Sequence, residues 1–208
     1  MLEHQIATGD HDDGTVVVLL HGRGADADDM LGLRRGLPAT WTVVAPRAPF
    51  PGAPWGYGGG YAWYRYLGGT TPEPESFARS MRAIEELLSG LDTAIGFTPK
   101  RVILGGFSQG GTLSLGYALS GATTPPVLNF SGFLASHPDV DAARAGERGL
   151  RVFWGHGTRD QNIPFDFAVD GRHALEVGGA TLTARDYAIG HWIDAEELRD
   201  AVAWVEEL

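Results

Sequence analysis

The sequence contains no cysteine. Disulfides, thiol nucleophiles and Cys-ligated zinc or iron–sulfur clusters are therefore excluded. Long apolar runs are missing as well. The longest, such as Val16 to Leu20, have five residues, far short of the about 20 needed to cross a bilayer as a helix. The N-terminal residues Met1-Leu2-Glu3-His4-Gln5 are neither basic nor followed by an apolar stretch. No secretory signal is visible there, and a cytoplasmic location is expected. Positive charge is scarce: 16 Lys and Arg stand against 26 Asp and Glu, a net charge of −10. No basic stripe survives in that balance, so neither nucleic acid nor stable membrane insertion is expected.

The chain does hold enough apolar material for a sizeable core. Of its 208 residues, 43% are hydrophobic and 10% aromatic, which excludes wholesale disorder. A single domain over residues 1–208 is expected. Glycine and proline number 30 and 12, so loops are abundant.

Apolar β-branched runs alternate with helical patterns. Residues 15–20, 42–45, 101–104, 127–130, 151–154 and 181–186 read as strands. Most are apolar without alternation, as in strands covered on both faces. Residues 76–91 place Phe77, Met81, Ile84, Leu88 and Leu91 on one helical face. Residues 108–119 and 166–177 also read as helices. Residues 194–208 open with Asp194 and Glu197 in capping-box spacing. The alternation predicts an α/β fold with a mostly parallel sheet and helices on both faces. Ligands then bind at the carboxyl ends of the strands. Residues 46–71 break the pattern with Trp55, Tyr57, Tyr61, Trp63, Tyr64 and Tyr66 among prolines and glycines. Loops of this length are often functional.

Gly106-Phe107-Ser108-Gln109-Gly110 is a G-x-S-x-G motif between a strand and a helix. A serine there sits on a tight turn whose neighbours must be small. The turn lifts the hydroxyl clear of the sheet and aims N–H groups of the helix start at a developing oxyanion. Serine needs a base, and in this arrangement the acid and the histidine follow it in that order. His191 lies in a loop after the last strand; His156, immediately after another strand, is its competitor. His173 falls inside a predicted helix. Among acids, Asp160 follows a strand, Asp166 and Asp170 fall in the next helix, and Asp194 is accounted for as a helix cap. His21-Gly22-Arg23-Gly24-Ala25-Asp26 follows the most apolar strand. Its turn can present a backbone N–H toward the serine, while His21 itself reads as structural. No ligand-pair spacing among His21, His156 and His191 supports a metal.

Together these elements resemble the phospholipase/carboxylesterase family of α/β-hydrolases, which includes bacterial carboxylesterases and acyl-protein thioesterases. The resemblance rests on HGRGAD at 21–26, APRAPF at 45–50, GGFSQGG at 105–111, SGFL at 131–134, HGTRDQNIPF at 156–165 and GH at 190–191. It implies the α/β-hydrolase fold without a separate lid domain. It implies Ser108 as nucleophile, Asp160 as acid and His191 as base, with the Arg23 and Gln109 backbone N–H groups as the oxyanion hole. It implies no cofactor and no metal, a small-molecule ester substrate, and a homodimer. Two departures stand out: Arg23 replaces the family's frequent leucine, and Trp63-Tyr64-Arg65 replaces its Trp-Phe followed by a varied, often acidic residue. Trp63, Tyr64 and Arg65 are expected to wall the acyl groove.

The function expected is that of a serine carboxylesterase acting on short- to medium-chain esters through an acyl-enzyme. A lysophospholipase or acyl-protein thioesterase would use the same residues. A catalytically silent binding module is the alternative outside enzymes.

Overall fold

Seven strands form one sheet in the computed structural model, which describes residues 2–10 and 13–208; Met1, His11 and Asp12 lie outside the described residues. In chain order the strands are β1 (His4–Ala7), β2 (Thr15–Leu20), β3 (Thr42–Pro46), β4 (Arg101–Phe107), β5 (Val127–Phe130), β6 (Arg151–Gly157) and β7 (Thr181–Tyr187). Their spatial order is β1-β3-β2-β4-β5-β6-β7. Only β1 is antiparallel, pairing with β3; the other neighbours run parallel.

Side-chain alternation sorts the core onto the two faces of the sheet. Val16, Val18, Leu20, Val44 and Leu104 meet α2 (Pro74–Ser89) and α4 (Gln109–Ser120) through Phe77, Ile84, Leu113 and Tyr117. Val17, Leu19, Val43, Ala45 and Ile103 meet α1 (Ala27–Leu31) and α6 (Ala195–Glu206) through Met30, Leu198, Ala201 and Val205. A third cluster seats α5 (Phe165–Val177) against Val127, Val152 and Trp154. Among the described residues, no helix is long and apolar enough to cross a membrane.

The expected bounds of α2 move at both ends. The helix expected over 76–91 starts at Pro74, because proline suits the first turn and the Glu73 carboxylate accepts the Ser76 N–H at 2.8 Å. It stops at Gly90, and a separate short helix, α3, follows (Leu91–Ile95). Residues 46–71 are more ordered than a loop: two short antiparallel ribbons pair Phe50–Pro51 with Tyr61–Ala62 and Tyr66–Gly68 with Thr71–Pro72.

The capping box expected at α6 is half made. Asp194 Oδ1 accepts the Glu196 and Glu197 N–H groups at 3.0 and 2.8 Å. Glu197 does not reach back. Its side chain turns inward against Gly155, which has no Cβ to obstruct it, and both carboxyl oxygens are buried without a hydrogen-bond partner. Burial first, then the neighbouring Asp194 and Asp200, pushes its pKa up to about 8, with Arg172 opposing. From the strand side Tyr187 faces it, its hydroxyl already donated to Asp200.

A carboxyl that binds its proton more tightly in the folded state stabilises the fold at low pH. That contribution declines as pH rises from the unfolded value near 4.5 through the folded value. Thermal unfolding of wild type and Glu197→Gln should therefore differ in a pH-dependent way. Wild type should lose stability relative to the variant between pH 5 and about 8. A difference that stays constant over that window would contradict a neutral buried Glu197.

Candidate active site

Ser108 joins β4 to α4 with φ 55° and ψ −115°, a left-handed φ that non-glycine residues rarely adopt. The turn is possible because Gly106 and Gly110 lack side chains. A Cβ on Gly106 would stand 2.6 Å from the Leu20 carbonyl oxygen, and one on Gly110 would stand 2.6 Å from the Leu20 carbonyl carbon. The strained residue is held by two backbone bonds, Ser108 N–H to Phe130 O at 2.8 Å and Thr112 N–H to Ser108 O at 3.0 Å. Although Ser108 precedes the first residue of α4, its hydroxyl makes no cap hydrogen bond. The side chain, 7% exposed, lines a cavity of about 440 Å³.

His191 lines the same cavity. Its Nδ1 is 2.6 Å from Asp160 Oδ2, so Nδ1–H donates and Nε2 is left as the acceptor. The ring also packs on Phe107, centroids 4.5 Å apart. Asp160 Oδ1 accepts the N–H groups of Asn162 and Ile163, both at 2.9 Å. Burial alone would raise this carboxyl; the His191 ring and the two N–H groups outweigh it and hold the pKa below the ordinary range. Asp160 is thus a buried carboxylate with three donors. Backbone contact sets its distance from His191, since Gly157 packs directly on the carbonyls of Ile189 and Gly190.

The competing histidine is otherwise engaged. His156 is fully buried, and its Nε2 lies 3.0 Å from Ile163 O. That nitrogen must be the donor; the acceptor Nδ1 is buried without a partner and the ring does not line the cavity, so His156 is not placed to take a proton from Ser108. Its separation from Asp160 Oδ2 is 3.7 Å, too long for a hydrogen bond. Burial lowers its pKa, against Ile163 and Asp160. His21 is likewise spent: Nδ1–H donates to Gly22 O at 2.7 Å and Nε2 accepts the Ala48 N–H at 3.0 Å.

Among the described residues, neither the Arg23 N–H nor the Gln109 N–H makes a backbone hydrogen bond outside the regular helices and strands. The Arg23 turn is fixed from both sides. Gly24 N–H donates to Tyr61 O, and Tyr61 N–H donates to Ala25 O, both at 2.8 Å. Arg47 bridges Asp26 and Glu3 next to it.

The three residues expected to wall the groove separate. Tyr64 lines the cavity; Trp63 and Arg65 do not. Trp63 is fully buried, donating Nε1–H to His21 O at 2.9 Å and its N–H to Gln109 Oε1 at 3.1 Å. It is a strut between the two loops. Arg65 is exposed, with its backbone tied to Ser76 and Glu73. The remaining wall comes from residues not expected in it. Met30, Leu33 and Ile193 form an aliphatic side from one face of the sheet, and Tyr66 and Phe133, with Ile163 beside them, a mainly aromatic side from the other. Ile193 was findable, two places after His191, and Phe133 lies in the SGFL motif at 131–134; Leu33 carries no such signal.

A family described as Phospholipase/Carboxylesterase matches residues 2–208. Acyl-protein thioesterase 1 of Kluyveromyces lactis is 27% identical over 215 residues, covering 92% of this chain and 91% of that protein. Two plant relatives, a "probable carboxylesterase" of Oryza sativa subsp. japonica and a "probable carboxylesterase SOBER1-like" of Arabidopsis thaliana, are 28% and 26% identical, over 64% and 66% of this chain. The chain spans about half of their length, 52% and 55%. The fold matches a carboxylesterase from Mesorhizobium loti with a TM-score of 0.83, at 21% identity, over 99% of this chain and 94% of that one. Esterase PE8 matches with a TM-score of 0.82, at 23% identity, over 99% and 98%.

The Gln109 side chain ties the serine turn to the aromatic segment, accepting from Trp63 N–H and donating to Tyr64 O at 2.8 Å. Gln109→Ala keeps the backbone N–H but strands two buried backbone groups, each costing about 1–3 kcal/mol. Urea unfolding should show the variant less stable by about 2–4 kcal/mol. Unchanged stability would mean that the aromatic segment is held by other contacts.

Proposed function

The chain belongs to the phospholipase/carboxylesterase family, and from that membership we propose that it is a serine carboxylesterase that works through an acyl-enzyme, with Ser108, Asp160 and His191 as its triad. The observation that carries the proposal is the 2.6 Å contact of His191 Nδ1 with the buried Asp160 carboxylate. It fixes the tautomer whose free Nε2 shares a cavity with Ser108.

In the reaction, His191 Nε2 takes the Ser108 hydroxyl proton as Oγ attacks the ester carbonyl carbon. The tetrahedral oxygen carries the negative charge and accepts from the Arg23 and Gln109 N–H groups. Two such preorganised donors lower the barrier most where charge develops. Collapse breaks the bond to the alcohol oxygen, which receives the proton from His191. Water then enters, gives a proton to His191 and attacks the acyl carbonyl. The second collapse returns the proton to Ser108 Oγ and releases the acid. Asp160 stays ionised throughout and stabilises the imidazolium. The cavity volume and its aliphatic side support short to medium acyl chains, at about 0.8 kcal/mol for each buried methylene.

Acyl thioesters are a second reading, favoured by the likeness to acyl-protein thioesterase 1 over nearly the whole chain. A thiolate leaves without needing prior protonation, so the same residues suffice. Matched p-nitrophenyl esters and acyl thioesters of increasing chain length decide between the two.

Ser108→Ala and His191→Ala should each lower kcat by on the order of 10⁴–10⁶, since triad members act as a unit. His156→Ala should keep turnover within about 100-fold of wild type, because it only supports the turn that carries Asp160. Steady-state kinetics that silenced His156→Ala while sparing His191→Ala would reverse the assignment.

A further inference from the structure

The cavity holds one arginine, and its charge is unspent. Arg23 lines the cavity and is exposed. Among the described residues, its guanidinium makes no ion pair and no side-chain hydrogen bond. It lies instead over the Tyr57 ring, 4.8 Å from the centroid. Tyr57 is anchored beneath it, accepting the Tyr66 N–H on its hydroxyl at 2.8 Å. The charge is close enough to bear on the hydroxyls of Tyr64 and Tyr66, both on the cavity wall.

Two arginines elsewhere in the fold show the contrast. Arg47 holds Asp26 and Glu3, and Arg172 holds Asp186. The one carboxylate lining the cavity belongs to Asp29, and it is taken up in the start of α1, where Oδ2 accepts the Asp26 N–H at 2.8 Å. No salt bridge joins it to Arg23. In a chain of net charge −10, an unpaired cation on the wall of the cavity that Ser108 also lines favours an anion.

We propose that Arg23 is a specificity-determining residue, and that the preferred substrates are esters carrying a carboxylate, which its guanidinium and the Tyr57 platform receive while the uncharged arm lies against Met30, Leu33 and Ile193. This rests on the esterase reading above and names the substrate class within it. Guanidinium suits the role because it can stack on a ring and still present its N–H edge to a carboxylate. Arg23 thereby acts twice, with its backbone N–H on the oxyanion and its side chain on the substrate's charge. An ion pair at a partly open site is worth up to about fivefold.

The test compares kcat/KM for charged and neutral esters of matched length. Mono-p-nitrophenyl glutarate and adipate against p-nitrophenyl pentanoate and hexanoate place the charge on the acyl side. 4-Acetoxybenzoate against its methyl ester places it on the alcohol side. The readout is the charged-to-neutral ratio within one protein, so a general loss of rate cancels. The ratio should fall about fivefold from wild type to Arg23→Gln in one of the two series. Arg23→Lys, which restores the charge, should recover most of it. A ratio unchanged within twofold across wild type, Arg23→Gln and Arg23→Lys in both series overturns the inference alone. Wild type that turns over no ester, neutral ones included, overturns the esterase reading beneath it.

Discussion

The close approach of the α4 start to the Leu20 carbonyl is the constraint on which the site depends. Gly106 and Gly110 let the two strands and the helix come together, and a Cβ at either would collide with backbone. That contact forces Ser108 to φ 55°, a strain on the order of 1–3 kcal/mol. The surrounding ladder offsets it through the bonds to Phe130 and Thr112. The consequences are local and additive. The hydroxyl stands free of the helix cap, the Gln109 N–H is left without a backbone acceptor, and the Gln109 side chain reaches Trp63 and Tyr64. The position of the Ser108 hydroxyl and the shape of the cavity wall follow from one steric condition.

Electrostatics then separates three buried or half-buried histidines by what their nitrogens already do. His21 and His156 are desolvated, their basicity is lowered, and each is bonded to backbone. His191 alone pairs with a carboxylate and keeps its second nitrogen toward the cavity. Proximity to Asp160 would not have distinguished them, because His156 is also within 3.7 Å. Hydrogen-bond direction does. A neutral ring has one donor nitrogen, and in His156 that donor faces Ile163 O.

The strands were most legible where β-branched runs end at polar or turn residues. Thr15–Leu20 and Val127–Phe130 coincide with the expected segments. Residues 101–104 and 151–154 each extend three further, to Phe107 and Gly157. Gly105, Gly106, Gly155 and Gly157 read as turn residues yet are strand residues where a neighbour approaches closely. The four-residue edge strand His4–Ala7 was missed because it is short and half exposed. Residue type and chain order singled out Ser108, Asp160 and His191, and the structure sets Asp160 against His191 and places Ser108 and His191 on one cavity. The wall was not legible that way. Trp63, Tyr64 and Arg65 are consecutive, but they lie in a bend between the two ribbons that turns them to different surroundings, so aromatic composition located the segment but not its facing. Met30, Leu33 and Phe133 are brought in by elements far apart in sequence.

On the proposed reading, the strained turn at Ser108 and the His191 base on the same cavity together single out one serine as a covalent nucleophile. Ser131 is a demanding control: it too has a positive φ, 54°, and follows a strand of the same sheet, but its hydroxyl is buried. The direct measurement is peptide mapping by mass spectrometry after labelling the folded protein with a fluorophosphonate. A single adduct on Ser108 is the predicted result. An adduct on Ser131 or any other serine, or none at all on folded protein, would contradict the account.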